Sequence, residues 1–547
     1  MKKTISLLVA CAMLCTFLAA CAGNSDLEIS ENVSDFSVSA PMSEEIEETT
    51  EETQQADFET AISDFRYSHT DDGIVIESYV GPESVIIIPA KIDGVPVTSI
   101  AKMAFKDCSN LTYVKIPDGV TSIGLFAFAG CRNLTGIDIP DSVTDISSYA
   151  FQDTAIYNKA DQWTDGVLYI GNWLIEANET VPNDYTVASE TIGIAESAFN
   201  KCSSLKSITI PDSVTSISNR AFIDCTGLTS VTIPDSVTSI GEYAFAYCRS
   251  LTSVTIPDSV SNIGSGSFSF CDSLIEINVA ENNPIYASEN GVMFDKAKTT
   301  LLAYPAGKSE TKYVIPEGIT SIGEDAFTGC DRLTSIIIPD SVISIDQEAF
   351  SYCDSLKDIT IPNSVTSIKA STFACCTSLK NVTIPESVTS IGMSAFTECR
   401  SLMSIALPDS VTRIEDSTFA RCTSLKNITI PNNVTSIGSY AFQECSSLTS
   451  IEIPDKVPSI GEGTFDYCVS LKSVRIGSGI KSIEMWAFTG CSSLQSVYFK
   501  GNAPEIKDNS FSTDEAGMQN LTFYYIEGRT GWDSPTWNGY PTATWHE

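Results

Sequence analysis

The chain has 547 residues and a formal net charge of −37, from 69 acidic against 32 basic side chains. A surface this acidic repels phosphate backbones and anionic headgroups, which argues against nucleic acid as a partner. There are two histidines, His69 and His546. Neither is placed where structure would hold it as a base, and no glycine-rich phosphate loop is present, so no cofactor, metal site or catalytic residue is expected.

Residues 1–21 begin with Lys2 and Lys3, continue through an apolar run from Ile5 to Leu18 and end in Leu18-Ala19-Ala20-Cys21. These are the three parts of a secretory signal. The ending resembles the lipobox of bacterial lipoproteins. That resemblance implies a diacylated Cys21 as the mature N-terminus, anchoring the chain on the outer face of the cell membrane; the competing reading is an ordinary cleaved signal. The apolar run is shorter than the ~20 residues a membrane span needs.

Residues 22–64 contain 13 acids and no Lys or Arg. Such a segment cannot bury enough apolar surface to fold, and it reads as an acidic disordered tether of roughly 35–40 Å. The charge then divides into +2 before Cys21, −13 in the tether and −26 beyond it. Residues 65–100 alternate DGIVIESYVG and SVIIIPAKIDGVPVTSI around Gly73, Gly81 and Gly94. This reads as an N-terminal β cap, needed because the first unit of a stack otherwise exposes its apolar section and a row of unpaired strand groups.

From residue 101 to 513 one stretch repeats, best seen in LTSVTIPDSVTSIGEYAFAYC at 228–248. Its prolines fall at Pro211, Pro234 and Pro257 and again from Pro316 to Pro454 in steps of 23 residues, and counting the phenylalanine of the Ala-Phe pair gives about 16 coils. In each coil Val231 and Ile233 have the period of a short strand with Ser230 and Thr232 facing out, and Pro234 ends the strand. Val237 turns inward again. The spacing of Ile240, Ala244, Phe245 and Cys248 predicts about two turns of helix with one apolar face. A copy with eight inward apolar positions cannot bury them alone, so the copies stack into a solenoid. The expected fold is an α/β solenoid with a parallel sheet on one face, short helices or turns on the other, and a cap at each end.

Leu-x-x-Val-x-Ile-Pro followed by Val-x-x-Ile-Gly-x-x-Ala-Phe-x-x-Cys resembles the Treponema-type leucine-rich repeat of BspA-like bacterial surface proteins. The resemblance covers roughly residues 65–547. It implies a right-handed superhelix, a cell-surface location and binding of proteins or matrix rather than catalysis, and it supplies no catalytic residue.

The 23-residue period breaks between Phe151 and Phe199 and between Phe268 and Phe327. Each break contains a related hairpin, near 155–185 and 280–312, read as a stacked variant coil or as a projecting binding loop. The tail, 514–547, is rich in aromatic residues and is read as a cap on the last coil, with Trp532, Trp537 and Trp545 as an alternative glycan platform.

Of the 18 cysteines, one per coil recurs at a fixed inward position, from Cys108 and Cys131 to Cys491. This predicts a reduced, buried spine; disulfides between adjacent coils are the competing reading for an exported chain. The outward strand positions are uniform Ser and Thr in early coils, as at Ser230 and Thr232. Later coils carry Ile337, Asp358, Asn381, Ala406, Asn427, Glu452, Arg475 and Tyr498 there. Stacking needs only the inward set, so this outward variety is the candidate binding face, with Arg475 and Tyr498 on adjacent coils as its sharpest point. The expected protein is a monomer binding a host, matrix or neighbouring-cell macromolecule, protein rather than glycan. A glycan-binding module and a structural component without a discrete ligand are the alternatives.

Overall fold

The computed structural model describes residues 60–512 and 521–546. The signal, Cys21 and the tether as far as residue 59 lie outside the described residues.

Each regular coil contributes two short parallel strands. In the coil at 228–248, Ser230–Thr232 pairs with Ser207–Thr209 of the coil before, matching Ile208 to Val231, and Ser239–Ile240 pairs with Ser216–Ile217. Equal period and equal register are the same fact here, because a parallel ladder without slippage places residue i beside residue i+23. All eight inward positions, Leu228, Val231, Ile233, Val237, Ile240, Ala244, Phe245 and Cys248, are buried. The Phe245 ring stacks between Phe222 and Phe268 at centroid distances of 5.1 and 5.8 Å. Burying such a ring contributes roughly 1.5–3 kcal/mol per coil, before side-chain ordering is counted.

The helix expected after Gly241 does not form. Tyr243 and Tyr247 have φ of 54° and 60°, left-handed values that a right-handed helix excludes. The chain instead makes successive three-residue turns, with Ala244 N–H donating to Gly241 and Cys248 N–H to Phe245. Other N–H groups leave the coil altogether: Phe222 donates to Ala244 and Asp224 to Ala246 of the next coil, at 2.8 and 2.9 Å. Neighbouring coils thus satisfy backbone groups that a helix satisfies internally. One four-residue α-helix, Ala155–Asn158, is present among the described residues, in the first excursion.

Hydroxyls of the turns also bond between coils. Ser236 Oγ donates to Val214 O at 2.7 Å and Thr238 Oγ1 to Thr215 O at 3.2 Å. The recurring Ser and Thr of PDSVTS are therefore structural, whereas Ser230 and Thr232 face outward with no such duty.

Both excursions re-enter the stack. In the first, Trp173–Ala177 closes a hairpin and pairs in parallel with Gly193–Ile194; in the second, Thr300–Ala303 does so with Ser321–Ile322. Each adds a turn that the phenylalanine counter does not register, so the stack holds more turns than 16. The buried residues fall into three clusters that change over at these excursions.

The N-terminal cap is the hairpin Phe65–Thr70 and Gly73–Tyr79, whose Phe65 and Tyr79 rings cover Phe105 at 6.4 and 5.7 Å. The cap begins before the expected boundary at residue 65, because Thr60 N–H donates to Ile87 O at 3.0 Å and accepts the Ile87 N–H on its hydroxyl. At the other end Phe511 packs against Phe523 and Tyr540, at 5.1 and 5.9 Å.

Candidate functional site

The outward strand positions form two straight columns along the sheet face. Asp358, Asn381 and Asn427 stand in the column of Ser230; Ile337, Ala406, Glu452, Arg475 and Tyr498 stand in the column of Thr232. Register thus separates the predicted set into two places. Ile337 and Glu452 are five coils apart, roughly 24 Å at ~4.8 Å per coil.

The first place is apolar with a polar neighbour. Val314 and Ile337 face each other across adjacent strands and are 61% and 56% exposed, an uncommon state for paired branched residues. Beside them Asn381 Nδ2 donates to Asp358 Oδ1 at 2.6 Å.

The second place is the C-terminal end of the same column, where Glu452, Arg475, Tyr498 and Tyr524 lie side by side in one ladder. Arg475 is exposed, and among the described residues it has no ion-pair partner. Lys500 reaches back two coils to Glu452, with Nζ 3.0 Å from Oε1. At an exposed position that bond contributes little stability, so it orders the rim more than it holds the fold. Tyr498 stacks on Tyr524 at 4.8 Å and meets Trp545 edge-on at 5.3 Å. An unpaired guanidinium beside a half-exposed ring cluster offers bidentate hydrogen bonding and flat apolar area together, the pairing that dominates many protein interfaces.

The set Trp532, Trp537 and Trp545 does not form one platform. Trp537 is buried, and Trp532 packs on Phe499 at 4.7 Å and on Tyr525 at 5.3 Å. The indole N–H groups of Trp532 and Trp545 donate to Gly501 and Phe499 carbonyls, both at 3.3 Å. The tail thus packs on the last coil and leaves Trp545 beside the outward column. Tyr524 was missed by sequence reasoning, although the alternation of Thr522, Phe523 and Tyr524 places it in the outward column.

His69 and His546 are both exposed, and among the described residues no group of His, Cys, Asp or Glu could hold a metal ion. Cys108 is half-buried, and the spine thiols from Cys131 to Cys491 are buried and far from reactive: burial pushes Cys131, Cys202, Cys271 and Cys422 up to about 12. Cys375, out of register with the spine, occupies a left-handed turn position with φ of 60° beside Cys376.

The BspA type leucine rich repeat region matches in six copies, over residues 91–181, 183–294, 304–426 and 412–525. The chain belongs to the BspA-type leucine-rich repeat family. Among solved structures of similar chains, a leucine-rich cell surface protein of Faecalibacterium prausnitzii is 32% identical, over 68% of this chain and 94% of its own, with a TM-score of 0.42. A leucine-rich repeat protein of Bacteroides ovatus is 27% identical, over 73% and 95%, with a TM-score of 0.31. The pneumococcal vaccine antigen PcpA is 20% identical, over 82% and 99%, with a TM-score of 0.31. No curated protein is similar enough to match. In this BspA-type chain the repeat match takes in both places on the sheet face and reaches into the aromatic cap, leaving residues 295–303 of the second excursion unmatched.

Proposed function

We propose that this BspA-type protein is a non-catalytic binding protein of the bacterial cell surface, exported and held by lipid on Cys21, whose outward sheet face engages a host, matrix or neighbouring-cell protein. The observation that carries the reading is the ladder Glu452, Arg475, Tyr498 and Tyr524, where the outward column leaves the Ser and Thr pattern while the inward residues beside it, Ile451, Val474, Val497 and Phe523, stay apolar and buried. Surface display accords with the Faecalibacterium relative being a leucine-rich cell surface protein. A second reading, glycan binding, draws on the half-exposed rings of Tyr498, Tyr524 and Trp545, because aromatic faces stack on sugar rings.

The test is binding of the purified chain to immobilised matrix proteins and to a glycan array, side by side. Saturable binding to a protein supports the first reading and binding to glycans alone supports the second. Binding to neither leaves a structural component of the surface and overturns both.

A further inference from the structure

The two excursions are related in sequence, each starts a new run of the sheet with an edge strand, and the two edges are fastened differently. In the first, the Tyr169 and Tyr185 hydroxyls lie 2.9 Å apart, and Tyr169 Oη accepts the Ala188 N–H at 3.2 Å. Tyr169 thereby fastens the strand Asp184–Thr186, which starts a new run of the sheet. In the second excursion the matching residues are Phe294, Tyr313 and Pro316. Phenylalanine has no hydroxyl and proline no N–H, so both bonds are lost together.

The strand at this second break, Lys312–Val314, pairs with Ser335–Ile337 on one side and with no strand on the other. Ile315 N–H donates toward Ile337 O at 3.0 Å, so strand alternation aims the N–H and C=O of Val314 the opposite way. In regular coils the coil before fills that side, as Ser207–Thr209 does for Ser230–Thr232, where Thr209 stands opposite Thr232. No backbone donor among the described residues reaches Val314 O. Pro316 is exposed as well, where Pro234, Pro257 and Pro339 are buried.

Beside this edge is a cavity of about 530 Å³, lined by Val292, Phe294, Tyr304 and Tyr313. Tyr304 Oη is buried there without a hydrogen-bond partner, an uncommon state for a buried polar atom. Glu310 on the rim is exposed and has no ion-pair partner among the described residues.

We propose that this groove binds an extended peptide segment of a partner protein, which adds as a strand along Lys312–Val314 and sets an apolar side chain against Phe294 and Tyr304. Main-chain bonds to an open edge give such a complex its affinity, and the pocket gives it selectivity. Charge argues for a peptide with Lys or Arg beside the apolar residue, since the lining holds Glu289 and Glu310 against Lys308 and the chain beyond residue 64 carries −26. The same argument disfavours the chain's own tether, with 13 acids and no base. The inference is independent of which outward column binds.

The probe is a fluorescein-labelled synthetic peptide carrying the repeat's own strand, Leu-Thr-Ser-Val-Thr-Ile, between lysines. Added to the full chain, it should bind saturably and slow hydrogen exchange at the Val314 amide. Phe294→Tyr with Pro316→Ala rebuilds the fastening of the first excursion and should weaken the peptide at least tenfold without lowering the melting temperature. Phe294→Tyr alone serves if the double variant folds poorly. N-methylation of the peptide's edge-facing amides should weaken it by a similar factor. Equal binding by variant and parent, indifference to N-methylation, or no protection at Val314 overturns the proposal. So does slow exchange at Val314 with no peptide present, which places the tether or a second copy in the groove.

Discussion

Cys248 Sγ donates a hydrogen bond to the carbonyl oxygen of Phe222, one coil earlier, at 3.2 Å. The bond repeats along the spine, from Cys131 to Phe105 at 3.0 Å through Cys491 to Phe465 at 3.1 Å. It turns each thiol toward a backbone carbonyl and away from the neighbouring sulfur. Alkylation of the denatured, unreduced protein should therefore label nearly every spine cysteine, while the native protein resists the reagent. Mass spectra containing linked Cys225 and Cys248 peptides would show that adjacent coils are bridged instead.

Stability should rise on mild acidification. Asp325 is buried; burial first and Glu348 second push its carboxyl up to about 7, against hydrogen bonds donated by Tyr243 and Thr328, both at 2.9 Å. Asp331 is pushed to about 6, by burial and by Asp354. A carboxyl with a raised folded-state pKa holds its proton in the fold at pH values where the unfolded chain has lost it, so its contribution is full below about 4 and is lost as pH rises through about 7. The melting temperature should fall by a few degrees between pH 5 and pH 8, and Asp325→Asn should flatten that slope. An unchanged slope in the variant would assign the effect elsewhere.

Phe245→Ala removes a fully buried ring from the middle of a continuous stack. The expected cost is about 3–5 kcal/mol. Since each coil contacts only its neighbours, urea unfolding followed by hydrogen exchange should show the loss concentrated in adjacent coils. A cost below about 1 kcal/mol would mean that the ladder is not a principal source of stability.

Much of this architecture was legible before any coordinates. The 23-residue step located every regular coil, and the inward residues needed only the period of a strand and the impossibility of burying one copy alone. The helix was misread for a specific reason. Ile240, Ala244, Phe245 and Cys248 have helical spacing, but Tyr243 and Tyr247 take left-handed backbone that a side chain's identity does not announce, and the neighbouring coil supplies the bonds that make it tolerable. The site was legible in part. Arg475 and Tyr498 are in register as expected, whereas the contact of Tyr498 with Trp545 depends on how the tail folds back, which no period encodes. The open edge at Val314 becomes visible only when the two excursions are compared in space.

Anchoring is checked by Cys21→Ala. If Cys21 carries lipid, the variant should leave the detergent-rich phase on partitioning of whole-cell extracts, while the parent stays in it. Identical partitioning of the two would remove the lipoprotein reading and leave the sheet face unaffected.

The most direct measurement is the affinity of the Arg475→Ala, Tyr498→Ala double variant for whichever matrix protein the parent binds, paired with its melting curve. Arg475 is exposed, and the ring of Tyr498 rests on Tyr524 rather than in the core. Binding should weaken more than tenfold with melting shifted by no more than a degree or two. Parental affinity in that folded variant would contradict the sheet-face account.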